Sequence, residues 1–349
     1  MNILRLGLAF VGATLGLLVL APLGLLMLPL WLVGAATQAL ARRREPRAVS
    51  WPAIVEYEAT MGWRPKANVD VHLLGDEAVH VTTDAEGWRG RHGVAESDVV
   101  VFGDSYAFGH AADDAWYFAN LDGPVRIKAI GVHGYSMVQE LLWMRRMAPR
   151  LANKLVVWFV FLGNDLIDNL EPSLVAHRAP FLRAAGDDTR WEVASEHVSP
   201  APWPFVPARY ARANYDRLTR YFTSPGFAAR AASACRWLLA EGQTTCREAD
   251  AELAVVTIPD VLLLSDRGFR LLFDHGVDAA TFDPDLPDKD LRSACEELKI
   301  PFLPGRSFLR REHYLVHDDH WNEAGHRVVA DQIAQLYRAR RSGMTSVVS

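Results

Sequence analysis

The chain is poor in cysteine, with three in 349 residues and no Cys-x-x-Cys pair. That excludes a scaffold built on disulfides and the common cysteine zinc sites. It also lacks an excess of basic charge. Its 37 Lys and Arg against 42 Asp and Glu leave a formal net charge of −5, so no nucleic-acid partner is expected. Internal repeats and low-complexity tracts are absent too, which removes solenoids and disordered arrays. What remains is a chain that is 50% hydrophobic and 23% charged, a globular balance. At roughly 150 residues per domain its length suggests about two units. Its mean hydropathy of +0.00 is high for an enzyme, and the cause is local.

The cause lies at the N-terminus. No formal charge occurs between Arg5 and Arg42, and Leu15 to Val33 form one apolar run. As a straight helix those residues would reach about 54 Å, against about 30 Å of bilayer hydrocarbon. Residues 1–44 are therefore expected to form a membrane anchor, a single span rather than a short hairpin broken at Pro22 and Pro29. The stretch far exceeds the apolar region of a cleaved signal peptide, although Ala39-Leu40-Ala41 resembles a cleavage site. Arg42, Arg43, Arg44 and Arg47 follow the span, and the positive-inside tendency alone would keep the following domain in the cytoplasm.

Beyond residue 44 the pattern is α/β. Residues 45–98 carry alternating runs at 69–73 and 79–81 that read as hairpin strands. Continuous apolar runs at 99–103, 125–131, 155–162, 253–258 and 300–303 read as buried parallel strands. Helical spacing appears at 136–150 and 288–299, and again from 323 to about 341, where Asn322 is a plausible N-cap. This alternation predicts a doubly wound parallel sheet over 99–341. The stretch 171–250 interrupts it and reads as a lid-like insert, and 342–349 as a frayed tail.

Open α/β sheets bind ligands at the carboxyl ends of their strands. Gly103-Asp104-Ser105 follows the first strand, Gly131-Val132-His133-Gly134 the second and Gly163-Asn164-Asp165 the third. His317-Asp318-Asp319-His320 precedes the last helix. Together these offer a hydroxyl, a backbone donor, an amide, a carboxylate and an imidazole, the parts of nucleophilic acyl transfer. Four blocks, Val100 to Tyr106, Ile130 to Ser136, Phe161 to Asp165 and Asp318 to Asn322 with Gly325-His326, resemble the GDSL/SGNH hydrolase superfamily in family order. Gly87-Trp88-Arg89-Gly90 is similar to its membrane-anchored bacterial members. The resemblance covers roughly 85–340 without the insert, and implies a flavodoxin-like fold.

It implies roles as well. Ser105 would be the nucleophile, His320 its base and Asp318 the carboxylate that orients the imidazole. The N–H groups of Ser105 and Gly134 and the Asn164 amide would form the oxyanion hole. Glycine at 134 would let the donor approach without a Cβ in the way. No cofactor or metal is implied. The sequence departs from the family where Asp-x-x-His would put the acid at His317, and where Ala129 replaces a frequent Asn. Asp319 is the competing orienter.

Blander readings stand beside these. Ser105 suits a helix N-cap, Asn164-Asp165 an Asx turn, and His320 an ordinary loop histidine. Asp165 and His326 read as structural, and His110 and His133 as possible pocket linings. His317, Asp318 and His320 could in principle ligate a metal. Most of the eleven Trp read as packing rather than a sugar platform.

The expected activity is serine-dependent ester hydrolysis or O-acyl transfer on acetylated or acylated envelope or exopolysaccharide glycans, or on small esters. A catalytically idle, tethered glycan-binding component of an envelope assembly complex is the alternative, and envelope polysaccharide assembly proteins are the expected partners. Envelope chemistry favours an exported domain on the inner membrane. A Cys235–Cys246 pair would be compatible with that side.

Overall fold

The structure is a computed structural model that describes residues 48–342, except 75–77, 175–176, 187–189, 197 and 201–206. The expected anchor at 1–44 lies outside the described residues. Among the described residues no helix is long and apolar enough to cross a membrane.

Five strands form the central sheet: β1 (Val99–Gly103), β2 (Ile127–Gly131), β3 (Leu155–Phe161), β4 (Glu252–Ile258) and β5 (Phe302–Leu303). All neighbours are parallel, in the order β2-β1-β3-β4-β5. This is the flavodoxin-like order. Helices cover both faces, which is why the strands read as unbroken apolar runs rather than alternating ones. In β1, Val100 and Phe102 enter one core and Val99 and Val101 the other. Lys128 is the exception inside β2; it is buried and pairs with Asp84 at 2.8 Å.

The helices are α1 (Ser105–Phe108), α2 (Met137–Met147), α3 (Asp165–Asp168), α4 (Pro207–Thr223), α5 (Pro225–Glu248), α6 (Asp266–Asp274), α7 (Leu286–Leu298) and α8 (Glu323–Arg341). Asn322 caps α8 as expected, its side chain accepting from Gly325 N at 3.1 Å. Ahead of the sheet lie two antiparallel hairpins. Asp70–Leu73 with Val79–Thr82 is the pair the alternation marks, and Val55–Glu58 with Gly62–Pro65 is additional.

The interrupting stretch 171–250 divides in two. Its second part, α5, is a layer helix: Ala231, Leu238 and Leu239 are buried in the same core as α2 and α7. It supplies the crossover between parallel β3 and β4, which no short loop can make. Residues 171–224 add two short hairpins and α4 to the strand–helix alternation, and Leu182, Trp191, Leu218 and Tyr221 are buried in that same core. Cys235 and Cys246 both lie on α5 and are unpaired. Eleven residues of helix separate them by about 16 Å, and a disulfide needs Cα atoms within about 7 Å. The pair considered from the sequence therefore cannot form, and these cysteines carry no information about compartment.

At the carboxyl edge of the sheet, Gly103 and Gly131 lie side by side in register. A Cβ on Gly131 would fall 2.6 Å from Ala107 Cβ and 2.8 Å from the Asp104 carbonyl oxygen. The α1 turn can sit on β2 only because that side chain is missing. Gly131→Ala should cost about 1–3 kcal/mol by overpacking, read as a lower midpoint in chemical denaturation. Gly226→Ala, where an added Cβ meets nothing within 4 Å, should be neutral or slightly stabilising.

Candidate active site

The chain visits β1, turns out to β2 and then returns across β1 to β3, so the switch point lies between β1 and β3. Ser105 leaves the end of β1, Gly134 follows β2, and Asn164 follows β3. The 318–320 loop crosses in front of them.

Ser105 is the first residue of α1 and not its cap. Asp104 is the cap, its Oδ1 accepting from Tyr106 N at 2.9 Å. The cap reading of Ser105 is thereby excluded and its hydroxyl is free for other contacts. Its Oγ lies 2.7 Å from His320 Nε2 and 3.3 Å from Asp104 Oδ2. His320 Nδ1 faces Asp318 Oδ1 in a short contact, while Asp319 Oδ1 is 3.2 Å away. So Ser105, His320 and Asp318 line up in sequence, and Asp318 rather than Asp319 holds the closer position. Both Ser105 and His320 are buried, unlike an ordinary loop histidine.

Charge follows from this geometry. Burial opposes the charged form of the His320 imidazole, but the Asp318 carboxylate overrides it and lifts the pKa well above the usual value. Burial likewise opposes ionisation of Asp318, yet His320 and His110 together hold it below the usual carboxylate range. Asp104, which precedes Ser105 and contacts its hydroxyl, is pushed up to about 6 by burial.

The groups expected to be oxyanion donors are less uniform. Ser105 N, at the first position of α1, has no intrahelical acceptor to satisfy. Gly134 has φ +70°, and a Cβ there would come only within 3.9 Å of Trp63. Glycine at 134 meets the demand of that left-handed backbone. Asn164 is buried and does not cap α3 through its side chain, so the Asx-turn reading fails. Its Nδ2 donates to Asp168 Oδ2 at 3.1 Å, which leaves one amide hydrogen for a ligand.

His110 and His133 sit behind the carboxylate. His110 Nε2 lies 3.6 Å from Asp318 Oδ2, and its Nδ1 lies 2.5 Å from His133 Nε2. His133 is buried and stacked on Trp51, with ring centroids 4.7 Å apart. Burial, reinforced by neighbouring imidazoles, lowers both pKa values and keeps both rings neutral. His110, Asp318 and His320 place ligand atoms within 4.8 Å of one another, a set that could hold a divalent ion. The triple considered from the sequence instead contains His317, which is exposed.

Several contributors carry no simple sequence signal. The Tyr106 hydroxyl donates to the Asp319 carbonyl and ties the histidine loop to α1. Arg89, fully buried, donates to the carbonyls of Phe108 at 3.2 Å, Gly109 at 2.6 Å and Ala112 at 2.8 Å. Its sequence signal was Gly87 to Gly90, without a role attached. Asp165 accepts from Phe161 N at 2.7 Å, a structural use as expected. Beside it, Glu140 accepts from the Trp158 indole at 2.6 Å. Burial, then mutual repulsion among these carboxyls, pushes Glu140 and Asp165 far above the usual range, so each keeps its proton. His326 is buried among Trp116, Phe118 and Trp321, also structural.

In histidine-detected NMR titration, Asp318→Asn should lower the His320 pKa, because the larger of the two carboxylate contributions that oppose burial is removed and that of Asp319 remains. Asp319→Asn should leave it raised. The reverse ranking would make Asp319 the orienting acid.

No family model matches the sequence, and no curated protein matches it. Among solved structures the chain is similar to the inhibitor-bound aryl esterase of M. smegmatis, at 13% identity over 69% of this chain and 98% of that one, with a TM-score of 0.39. It is also similar to a GDSL-like lipase from Bacteroides thetaiotaomicron, at 12% identity over 72% and 93%, with a TM-score of 0.35.

Proposed function

We propose that this chain is an SGNH-type acyl-serine enzyme, an ester hydrolase or O-acyltransferase. The observation that carries the reading is the buried line Ser105 Oγ, His320 Nε2, His320 Nδ1, Asp318 Oδ1. A hydroxyl at the end of a parallel strand, a base within hydrogen-bond reach and a carboxylate orienting that base have little other use.

In this reading His320 takes the Ser105 proton as Oγ attacks the acyl carbonyl. The oxyanion is held by Ser105 N, Gly134 N and Asn164 Nδ2. Collapse expels the alcohol, which takes the proton from His320 and leaves an acyl-serine. Water or an acceptor hydroxyl then attacks that ester with His320 again as base. No metal or cofactor enters any step. Substrate and place follow the motif resemblance and the apolar N-terminal stretch: acylated envelope or exopolysaccharide glycans, met by a domain tethered to the outer face of the inner membrane. Trp51 and Trp63 support no sugar platform, since both are buried against His133.

The full chain in detergent should turn over p-nitrophenyl acetate and take up a fluorophosphonate on one serine. Ser105→Ala should abolish both, and equal labelling of the two proteins would overturn the reading. Intact glycan binding with no turnover of any ester would instead support an idle tethered module.

The pH dependence has a definite sign. His320 must be neutral to accept a proton, and its pKa is raised. Activity should therefore climb with pH through a value above the ordinary imidazole range. In Asp318→Asn that limb should move to lower pH, while the plateau falls by about 10⁴-fold through loss of the correct tautomer. Stopped-flow or steady-state kcat/KM against pH reads both.

A further inference from the structure

We propose that Arg217, on α4 of the insert, is a positioning residue that acts through Asp168 to fix which end of the Asn164 amide faces the acyl carbonyl. The inference rests on the acyl-serine reading and deepens it, because it connects the insert to the oxyanion hole.

The geometry is a three-member chain. Arg217 Nε lies 2.7 Å from Asp168 Oδ1. Asp168 Oδ2 accepts from Asn164 Nδ2 at 3.1 Å. Asn164 Oδ1 is buried with no hydrogen-bond partner. Arg217 is 13% exposed and Asp168 2%, so the pair is largely shielded from solvent.

An amide has two ends of nearly the same shape. With Nδ2 turned to the reacting carbon it donates to the developing oxyanion; turned round, it opposes that charge with a second oxygen. What decides is the charge on Asp168. An ionised carboxylate only accepts, so it holds Nδ2 and sets the amide for donation. A protonated carboxyl can donate, and the empty Asn164 Oδ1 is the acceptor within reach. Burial pushes Asp168 up to about 6, against the pull of Arg217 and the Asn164 hydrogen bond. Losing the guanidinium therefore moves Asp168 toward the neutral form at ordinary pH.

The other groups around Asp168 do not replace Arg217. Glu171, just beyond α3, is acidic and is itself engaged by Arg220 at 3.0 Å. Asp165, one turn back, keeps its proton. From α5 the neighbour is Cys235, whose thiol accepts from Asn169 Nδ2 at 3.4 Å and is kept neutral by burial. Arg217 is thus the cation that holds the Asp168 charge, and it comes from α4 of the insert.

The test uses the full chain, p-nitrophenyl acetate as probe, and kcat and KM across pH 5.5–9. Arg217→Gln should lower kcat at pH 7 by about 10–100-fold, up to the loss of one oxyanion donor. KM should change less than twofold, and the acid limb should move to higher pH. Arg217→Lys keeps the charge and should restore the wild-type limb with kcat within a few-fold. It also tests the inference if Arg217→Gln does not fold. Asn164→Ala should cost a similar factor, and adding Arg217→Gln to it should cost nothing more. Losses that multiply, or a limb that stays put in Arg217→Gln, would overturn the inference and leave the acyl-serine reading intact. A wild type with neither turnover nor Ser105 labelling would overturn both.

Discussion

The four residues of α1 cannot hold themselves. A single helical turn costs more to nucleate than its hydrogen bonds return, so the place of Ser105 depends on what grips it. The strongest grip is the Arg89 guanidinium. It gathers the carbonyls of Phe108, Gly109 and Ala112, pairs with Asp114 at 2.7 Å, and lies 4.3 Å from the Tyr117 ring centroid. A fully buried cation needs such partners; both terminal nitrogens are answered, and Nε is left without a hydrogen bond. Asp104 caps the other end of the turn, and Ala107 seats on the bare backbone of Gly131. Tyr106 then links this fixed turn to the 318–320 loop. Ser105 and His320 are thus positioned by one braced turn, though they lie 215 residues apart.

Burial gives that arrangement its electrical character. With water removed, one carboxylate raises an imidazole across a short contact, two further imidazoles stay neutral behind it, and carboxyls one layer down keep their protons. The groups are sorted by partner rather than by type. Asp318 has two imidazoles and is ionised; Asp165 has other carboxyls and is not. Two acids in the same region therefore carry opposite states at neutral pH.

Much of this was legible in the chain. Continuous apolar runs located the five strands because both faces of a parallel sheet are covered, and the order of the blocks located Ser105, Asn164 and the His320 loop. The readings that changed share a reason. The α5 segment is rich in Ala and Arg and looked irregular, yet its buried face meets the sheet through small side chains that give weak periodicity. The Cys235–Cys246 idea failed because sequence spacing says nothing about direction along a helix. Tyr106, Asp168 and Arg217 were not singled out at all, because their importance lies in a partner 49 or more residues away or in a single hydrogen bond that no pattern records.

The protonated carboxyls of the buried region also change how the molecule's charge is counted. Adding up residues puts the chain at −5. In the folded protein Glu140 and Asp165 contribute nothing to that total at neutral pH, and Asp260, pushed up to about 7 by burial, contributes only part. The unfolded chain would ionise all three near the ordinary carboxylate range of about 4. Folding therefore draws protons out of solution. By linkage, this group favours the native state fully only below about pH 4, and that advantage is lost as the pH rises from there through the raised values of the folded state.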